Sequence, residues 1–154
     1  MQDFIKETMS STKSLYDTDY SLWLEKTAQL LRNGQINELD LPNLAEEIEN
    51  MGKREKRAVE NNVEILLMHL LKSQYQPEKR SNSWKYTIFE HRDRLEKAFR
   101  DSPSLKPYSQ EIFEQCYSKA RQRAAIETGM EIDIFPVESP FTVEQTLNPN
   151  YLPE

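Results

Sequence analysis

The sequence predicts an all-α protein: a single-domain helical bundle of four main helices, closed by an extended, Pro-containing C-terminal strap. Three observations lead there. Apolar residues recur at the 3.6-residue period of a helix over long stretches. Only 3 of the 154 residues are glycine, too few for a chain of tight hairpins, and all three stand where a helix would stop or bend. The length also falls within the roughly 100–200 residues of one domain. The expected organisation is a flexible leader over residues 1–15 and a helical domain over 16–154, of which 129–154 is the strap packed on the bundle.

Residues 1–15 hold little apolar material and are rich in Ser, Thr and Lys, which makes them the leader. Asp17 or Asp19 then caps a helix with the stripe Tyr20, Trp23, Leu24, Thr27, Ala28 and Leu31, which turns one face to the core until Asn33-Gly34 stops it. Asp40 caps the second helix. Pro42 sits in its first turn, where a missing N–H costs nothing, and Glu46, Glu47 and Glu49 lie close to its positive end. Leu44, Ile48 and Met51 form its first stripe. Gly52 ends or kinks it, after which Lys53 to Tyr75 carries the longest helical pattern, with Val59, Val63, Leu66, Leu67, Leu70 and Leu71 on one face. Ile65 and Met68 point elsewhere, so this helix is apolar nearly all round and should be central.

Gln76-Pro77 breaks the pattern, and Ser81 or Ser83 restarts it. The inner face of the third helix reads Trp84, Ile88, His91, Leu95 and Phe99, ending at Asp101-Ser102-Pro103. Ser104 caps a fourth helix with Pro107 in its first turn, and Leu105, Ile112, Phe113, Cys116, Ala120 and Ala124 lie inward as far as Gly129. In the strap, Pro136, Pro140, Pro149 and Pro153 are spaced among Ile132, Ile134, Phe135, Phe141, Leu147, Tyr151 and Leu152. That is too much apolar material for a free tail, so the strap should lie across the bundle.

Composition narrows the function classes. A hydrophobic share of 37% and a mean hydropathy of −0.81 suit helices with wide solvated faces. The longest apolar run, Ile65 to Leu71, is interrupted by His69 and falls far short of the ~18–20 residues of a membrane span, so no membrane is expected. The N-terminus lacks the basic-then-apolar order of a secretory signal, which makes the cytoplasm the expected compartment. A single cysteine, Cys116, excludes an internal disulfide framework and a cysteine zinc site. A net charge of −6 argues against generic coating of nucleic acid and leaves only a local contact with it open.

Within this acidic chain one stretch stands apart. From Lys72 to Arg94 the six cations Lys72, Lys79, Arg80, Lys85, Arg92 and Arg94 face only the three acids Glu78, Glu90 and Asp93. Backbone N–H groups at the start of the third helix, beside Lys79, Arg80 and the hydroxyls of Ser81 and Ser83, would suit an anion. The expected function is therefore a binding or interaction module for a phosphate- or carboxylate-bearing small molecule or an acidic protein partner. Its candidate ligand-binding residues are Glu47, His69, Lys72, Arg80, Ser81, Ser83, Trp84 and Arg92. The plainer reading of the same segment is a solvated interhelical loop, with Ser83 as a cap and Trp84 as a core anchor.

Two other readings compete. A hydrolase or nuclease would use Glu47, His69 and Arg80 or Arg92 as acid, base and electrophile, although no nucleophile elbow, phosphate-loop glycines or metal-ligand spacing accompanies them. A homo-oligomeric structural protein would use exposed Tyr, Trp and Arg at its interface. Glu47 falls beside Leu44, Ile48 and Met51, and such a carboxylate needs a partner, for which Arg80, Arg92 and Arg94 are the candidates. No cofactor and no metal are expected: the residues three before His69 and His91 are Leu66 and Ile88, not the glutamates of a di-iron bundle. Both histidines read as hydrogen-bonded core residues, Cys116 as a small buried hydrophobe, and Asp17 and Asp19 as caps.

Short motifs run along nearly the whole chain: Tyr16 with Asp19 to Leu24, Leu30-Leu31-Arg32, Leu39-Asp40, Glu46 to Glu49, Leu66 to Lys72, Gln76-Pro77, Arg80-Ser81 and Ser83-Trp84. Pro103-Ser104-Leu105, Glu127-Thr128-Gly129 and Phe135-Pro136 follow. In these the chain resembles a bacterial family known as domain of unknown function 29. Its one departure is Phe141 after Pro140, where the family more often has tyrosine. The resemblance implies an all-helical domain and brings no activity, substrate or cofactor with it.

Overall fold

The computed structural model describes residues 15–154, and among them every regular element is a helix or a 3₁₀ turn. The fold is all-α. The chain forms two compact units, Met1–Arg54 and Glu55–Glu154. The leader expected over 1–15 lies outside the described residues except for Leu15, which opens a helical turn over residues 15–18.

In the first unit α1 is Tyr20–Arg32. Its cap is Asp19, not Asp17: the Asp19 carboxylate accepts the Leu22 N–H at 3.1 Å. Past Asn33, Gly34 has φ 71°, the left-handed geometry that glycine adopts without strain. After a 3₁₀ turn at Ile36–Glu38 comes α2, Leu41–Tyr75. Asp40 opens it, its carbonyl accepting Leu44 N–H at 2.9 Å and its carboxylate accepting the Asn43 side-chain amide at 2.7 Å. Gly52 does not end α2, which runs 35 residues.

The stripes expected to face inward in this unit do so only in part. Trp23 and Thr27 are buried, but Tyr20, Leu24 and Leu31 are half-exposed, and Ile48 and Met51 are 61% and 56% exposed. The inward position on this stretch of α2 belongs to Glu47, at 7% exposure. Two tyrosine hydroxyls and Arg54 supply partners for its carboxylate, and a satisfied polar group can be buried where an unsatisfied one cannot.

The second unit contains the remainder of α2, then α3 (Asn82–Asp101), α4 (Leu105–Glu111), α5 (Phe113–Thr128) and α6 (Val143–Leu147), with 3₁₀ turns at Pro77–Lys79 and Ile132–Ile134. Val59, Val63, Leu66, Leu67, Leu70 and Leu71 of α2 meet Ile88 and Leu95 of α3 and Phe113, Cys116, Ala120 and Ala124 of α5 in one core. Met68, expected to point elsewhere, is buried with them. Ser81 is the cap of α3, its Oγ accepting Trp84 N–H at 3.2 Å.

The fourth expected helix is two. Ile112, at φ −94° and ψ 4°, bends the chain between α4 and α5. The hydrogen bonds from Ile112 N–H to Tyr108 and from Cys116 N–H to Ile112 survive, and the bend buries Ile112 and Phe113 together. Ser104 makes no side-chain cap, because its own backbone is already helical. α5 ends at Gly129, with φ 73°.

The strap is less extended than expected, since it contains the Ile132–Ile134 turn and α6, whose capping box pairs Thr142 with Gln145. Phe135 and Phe141 are core residues, while Ile134 and Leu152 stay exposed. Two bonds from α5 hold the strap: Tyr117 Oη donates to the Pro136 carbonyl and Arg121 Nε to the Phe135 carbonyl.

Candidate functional site

The basic segment opens at the junction of α2 and α3. Gln76-Pro77 ends α2, and the 3₁₀ turn carries the chain to Arg80, whose Nε donates back to the Ser73 carbonyl at 2.7 Å. That bond fixes one edge of the guanidinium and leaves its two Nη groups for other acceptors. Ser81 caps α3, and Lys85 stands one turn further on, its N–H bonded to the Ser81 carbonyl at 3.2 Å. A cleft of about 470 Å³ forms here. Arg80, Ser81, Asn82 and Lys85 provide its polar wall, and Trp84, Ile88 and Leu152 its apolar one.

Lys72 plays a different part from the one expected. It is nearly buried, with Nζ 2.6 Å from Glu127 Oε1 and 4.6 Å from the centroid of the Trp84 ring. Its charge is thus committed to a carboxylate on α5 and to an indole face, and the effect is to hold Trp84 in place beside the cleft. His69 donates from Nδ1 to the Ile65 carbonyl at 3.0 Å, and His91 from Nδ1 to the Thr87 carbonyl at 2.8 Å. Burial, reinforced by the charge of Lys72, holds the His69 pKa below its ordinary value of 6.5. The neutral ring therefore carries its lone pair on Nε2.

Other residues of the sequence-derived set go elsewhere. Arg92 is buried, and it donates from Nε to the Thr146 carbonyl at 2.9 Å and from Nη2 to the Gln145 carbonyl at 3.2 Å. It thereby supplies a donor to the Thr146 carbonyl at the end of α6 and a second one to the Gln145 carbonyl, which also accepts the Asn148 N–H at 3.3 Å. Burial lowers its pKa to about 10. Arg94 pairs with Glu90 one turn back at 2.8 Å. Ser83 is exposed, and its carbonyl accepts the Thr87 hydroxyl.

The ion pair expected between Glu47 and Arg80, Arg92 or Arg94 is replaced. Glu47 accepts hydrogen bonds from Tyr20 Oη, from Tyr16 Oη at 3.2 Å and from Arg54 Nη2 at 3.3 Å. The Tyr20 hydrogen bond is the largest influence holding its pKa below 4.5. Tyr16, Tyr20 and Trp23 pack edge to face and stacked about this carboxylate, with Tyr16 and Trp23 centroids 4.8 Å apart. The opposite charge expected for Glu47 gives way to hydroxyl donors at the first residue of α1, Tyr20, and in the helical turn before it, Tyr16.

Of the candidate residues, then, Arg80, Ser81 and Trp84 share the cleft, joined by Ser73, Asn82 and Lys85. Lys85 had a signal, its place in the basic run. The Ser73 carbonyl had none, since every residue carries one. Cys116 sits beside a separate cleft with Glu60 and Glu64, and burial pushes its thiol up to about 12, far from a thiolate nucleophile. Among the described residues no three His, Cys, Asp or Glu side chains gather as a metal site would require. No described helix is long and apolar enough to cross a membrane.

Comparison with known proteins gives one match: the family model described as "Domain of unknown function DUF29" covers residues 15–152. No curated protein and no solved structure matches the chain.

Proposed function

The chain belongs to the domain of unknown function DUF29 family, whose description names no reaction, and we propose from the cleft itself that the protein binds a small anionic ligand there, one bearing a phosphate or a carboxylate. One observation carries this reading. The described residues lining the cleft include two cations, Arg80 and Lys85, and no Asp or Glu, in a chain of net charge −6. The Nη groups of Arg80 suit a two-point bond to a planar or tetrahedral oxyanion, and Lys85 adds a second charge one turn away. Trp84 and Ile88 offer an apolar wall to the rest of the ligand. A volume of about 470 Å³ lies within the roughly 300–1,000 Å³ usual for small-molecule sites, which favours a small ligand over an acidic protein.

The hydrolase alternative has no assembled set of groups in its favour. His69 faces Lys72 and Glu127, Arg92 is spent on two carbonyls, and Glu47 is held by two tyrosines and Arg54. A thermal-shift screen against nucleotides, phosphosugars and dicarboxylates tests the proposal. A true ligand at ~100 times its dissociation constant stabilises the protein by ~2.7 kcal/mol. That stabilisation should vanish in Arg80→Ala, weaken in Lys85→Ala and persist in Lys79→Ala, which removes a cation outside the lining. Absence of any shift across the screen would retire the reading.

A further inference from the structure

The exposed face of α2 in the first unit poses a problem that the monomer does not solve. Leu41, Ala45, Ile48 and Gly52 recur at helical spacing along one side of α2, with Met51 beside them, and all five are exposed. Leu41, Ile48 and Met51 are each more than half exposed. Gly52 is out of place on a helix that continues through it, because glycine is among the poorest helix formers. Nothing within the chain requires it: a Cβ at position 52 would meet no atom within 4 Å, and its φ is not positive. A glycine left open on an apolar helix face is what close approach of another helix calls for.

The charges flanking this face identify that helix. Glu46 and Glu49 precede Met51, and Lys53 and Arg54 follow it. Among the described residues Glu46, Glu49 and Lys53 form no ion pair, and Arg54 has only Glu47. The segment is therefore acidic on one side of its centre and basic on the other, which makes it complementary to itself when reversed. We infer that two copies of this chain associate through this face, their α2 helices crossing antiparallel about Asn50. The crossing sets Ile48 of each copy over Gly52 of the other and brings Glu46 and Glu49 of each toward Lys53 of its partner, while Arg54, seven residues after Glu47 and bonded to it, stays on the inward side. A parallel crossing would place acid on acid and base on base. The antiparallel one is isologous and closes as a dimer.

Sedimentation equilibrium on the full chain, from micromolar to submillimolar concentration, tests this. The wild type should show a monomer–dimer equilibrium. In Gly52→Gln the added Cβ meets no atom within 4 Å in the free monomer and the residue favours the helix, so at low concentration its melting temperature holds or rises, while its dimer dissociation constant rises about tenfold or more. Glu46→Lys with Glu49→Lys in one chain, and Lys53→Glu in another, should each lose the homodimer, and their mixture should recover a heterodimer. A wild type that stays monomeric throughout, a dimer untouched by Gly52→Gln, or charge variants whose mixture does not associate would each overturn the inference.

Discussion

Leu67 and Ile48 are large aliphatic residues on the same helix, and the sequence assigns both to inward stripes, yet one is fully buried and the other 61% exposed. In the second unit the residues of α2 find apolar partners from α3, α5 and the strap, so an apolar periodicity becomes a core. In the first unit the inward place goes to Glu47, held by Tyr16, Tyr20 and Arg54, and the aliphatic stripe is left outside. Periodicity locates a face. Whether that face is buried depends on which neighbour arrives, and a well-bonded carboxylate can take the place of a leucine.

The contrast breaks most sharply at Leu67. Leu67→Ala should lose about 2–5 kcal/mol in urea unfolding, the range for cavity-forming changes in a close-packed core. Next comes Arg92→Met, which keeps the apolar stem but leaves the Thr146 carbonyl without its side-chain donor and the Gln145 carbonyl with only the Asn148 N–H. A loss of about 1–3 kcal/mol is expected, and Arg92→Lys should restore little of it, because a point charge cannot reproduce the two-point bond.

Titration sharpens the comparison, since each unit holds a group that titrates on the acid side of neutrality with a depressed pKa, Glu47 in the first and His69 in the second. His69 is favoured neutral in the folded state, so the unfolded chain binds the extra proton and stability falls as pH drops below 6.5. Glu47 is favoured ionised, so its contribution is complete above 4.5 and is lost as pH falls below that value. Unfolding followed against pH should show both declines, the upper one removed in His69→Gln and the lower one reduced in Tyr20→Phe. The smallest effect belongs to Ile48→Ala, measured on dilute protein: within about 0.5 kcal/mol of wild type, as for other exposed positions.

Much of this fold is legible from local chemistry. Asp19, Ser81, Gly34 and Gly129 stop or start helices at the expected places because capping involves only neighbours in sequence. The stripes of α3 and α5 face inward as their spacing predicts. The bend at Ile112 escaped notice because a bend that keeps its hydrogen bonds leaves no breaker residue behind, and Ser104, expected as a cap, makes none because its own backbone is helical. The cleft divides along the same line. Arg80, Ser81 and Trp84 are close in sequence and fall together, whereas Lys72 meets Glu127 across 55 positions and Arg92 meets backbone carbonyls across more than 50. Partners so distant, or so generic as a carbonyl, have no local signature.

The uncovered middle of α2 has one more consequence. Residues 51–58 are all exposed, and within them Lys53, Arg54, Lys56 and Arg57 offer a trypsin-like protease four cleavage positions. A protease cleft accepts extended chain, and here the chain is wound, so each cut must wait for the helix to open locally. Where reclosing outruns cleavage, the rate of digestion therefore reports the opening free energy of this one stretch, read separately from the unfolding of the core.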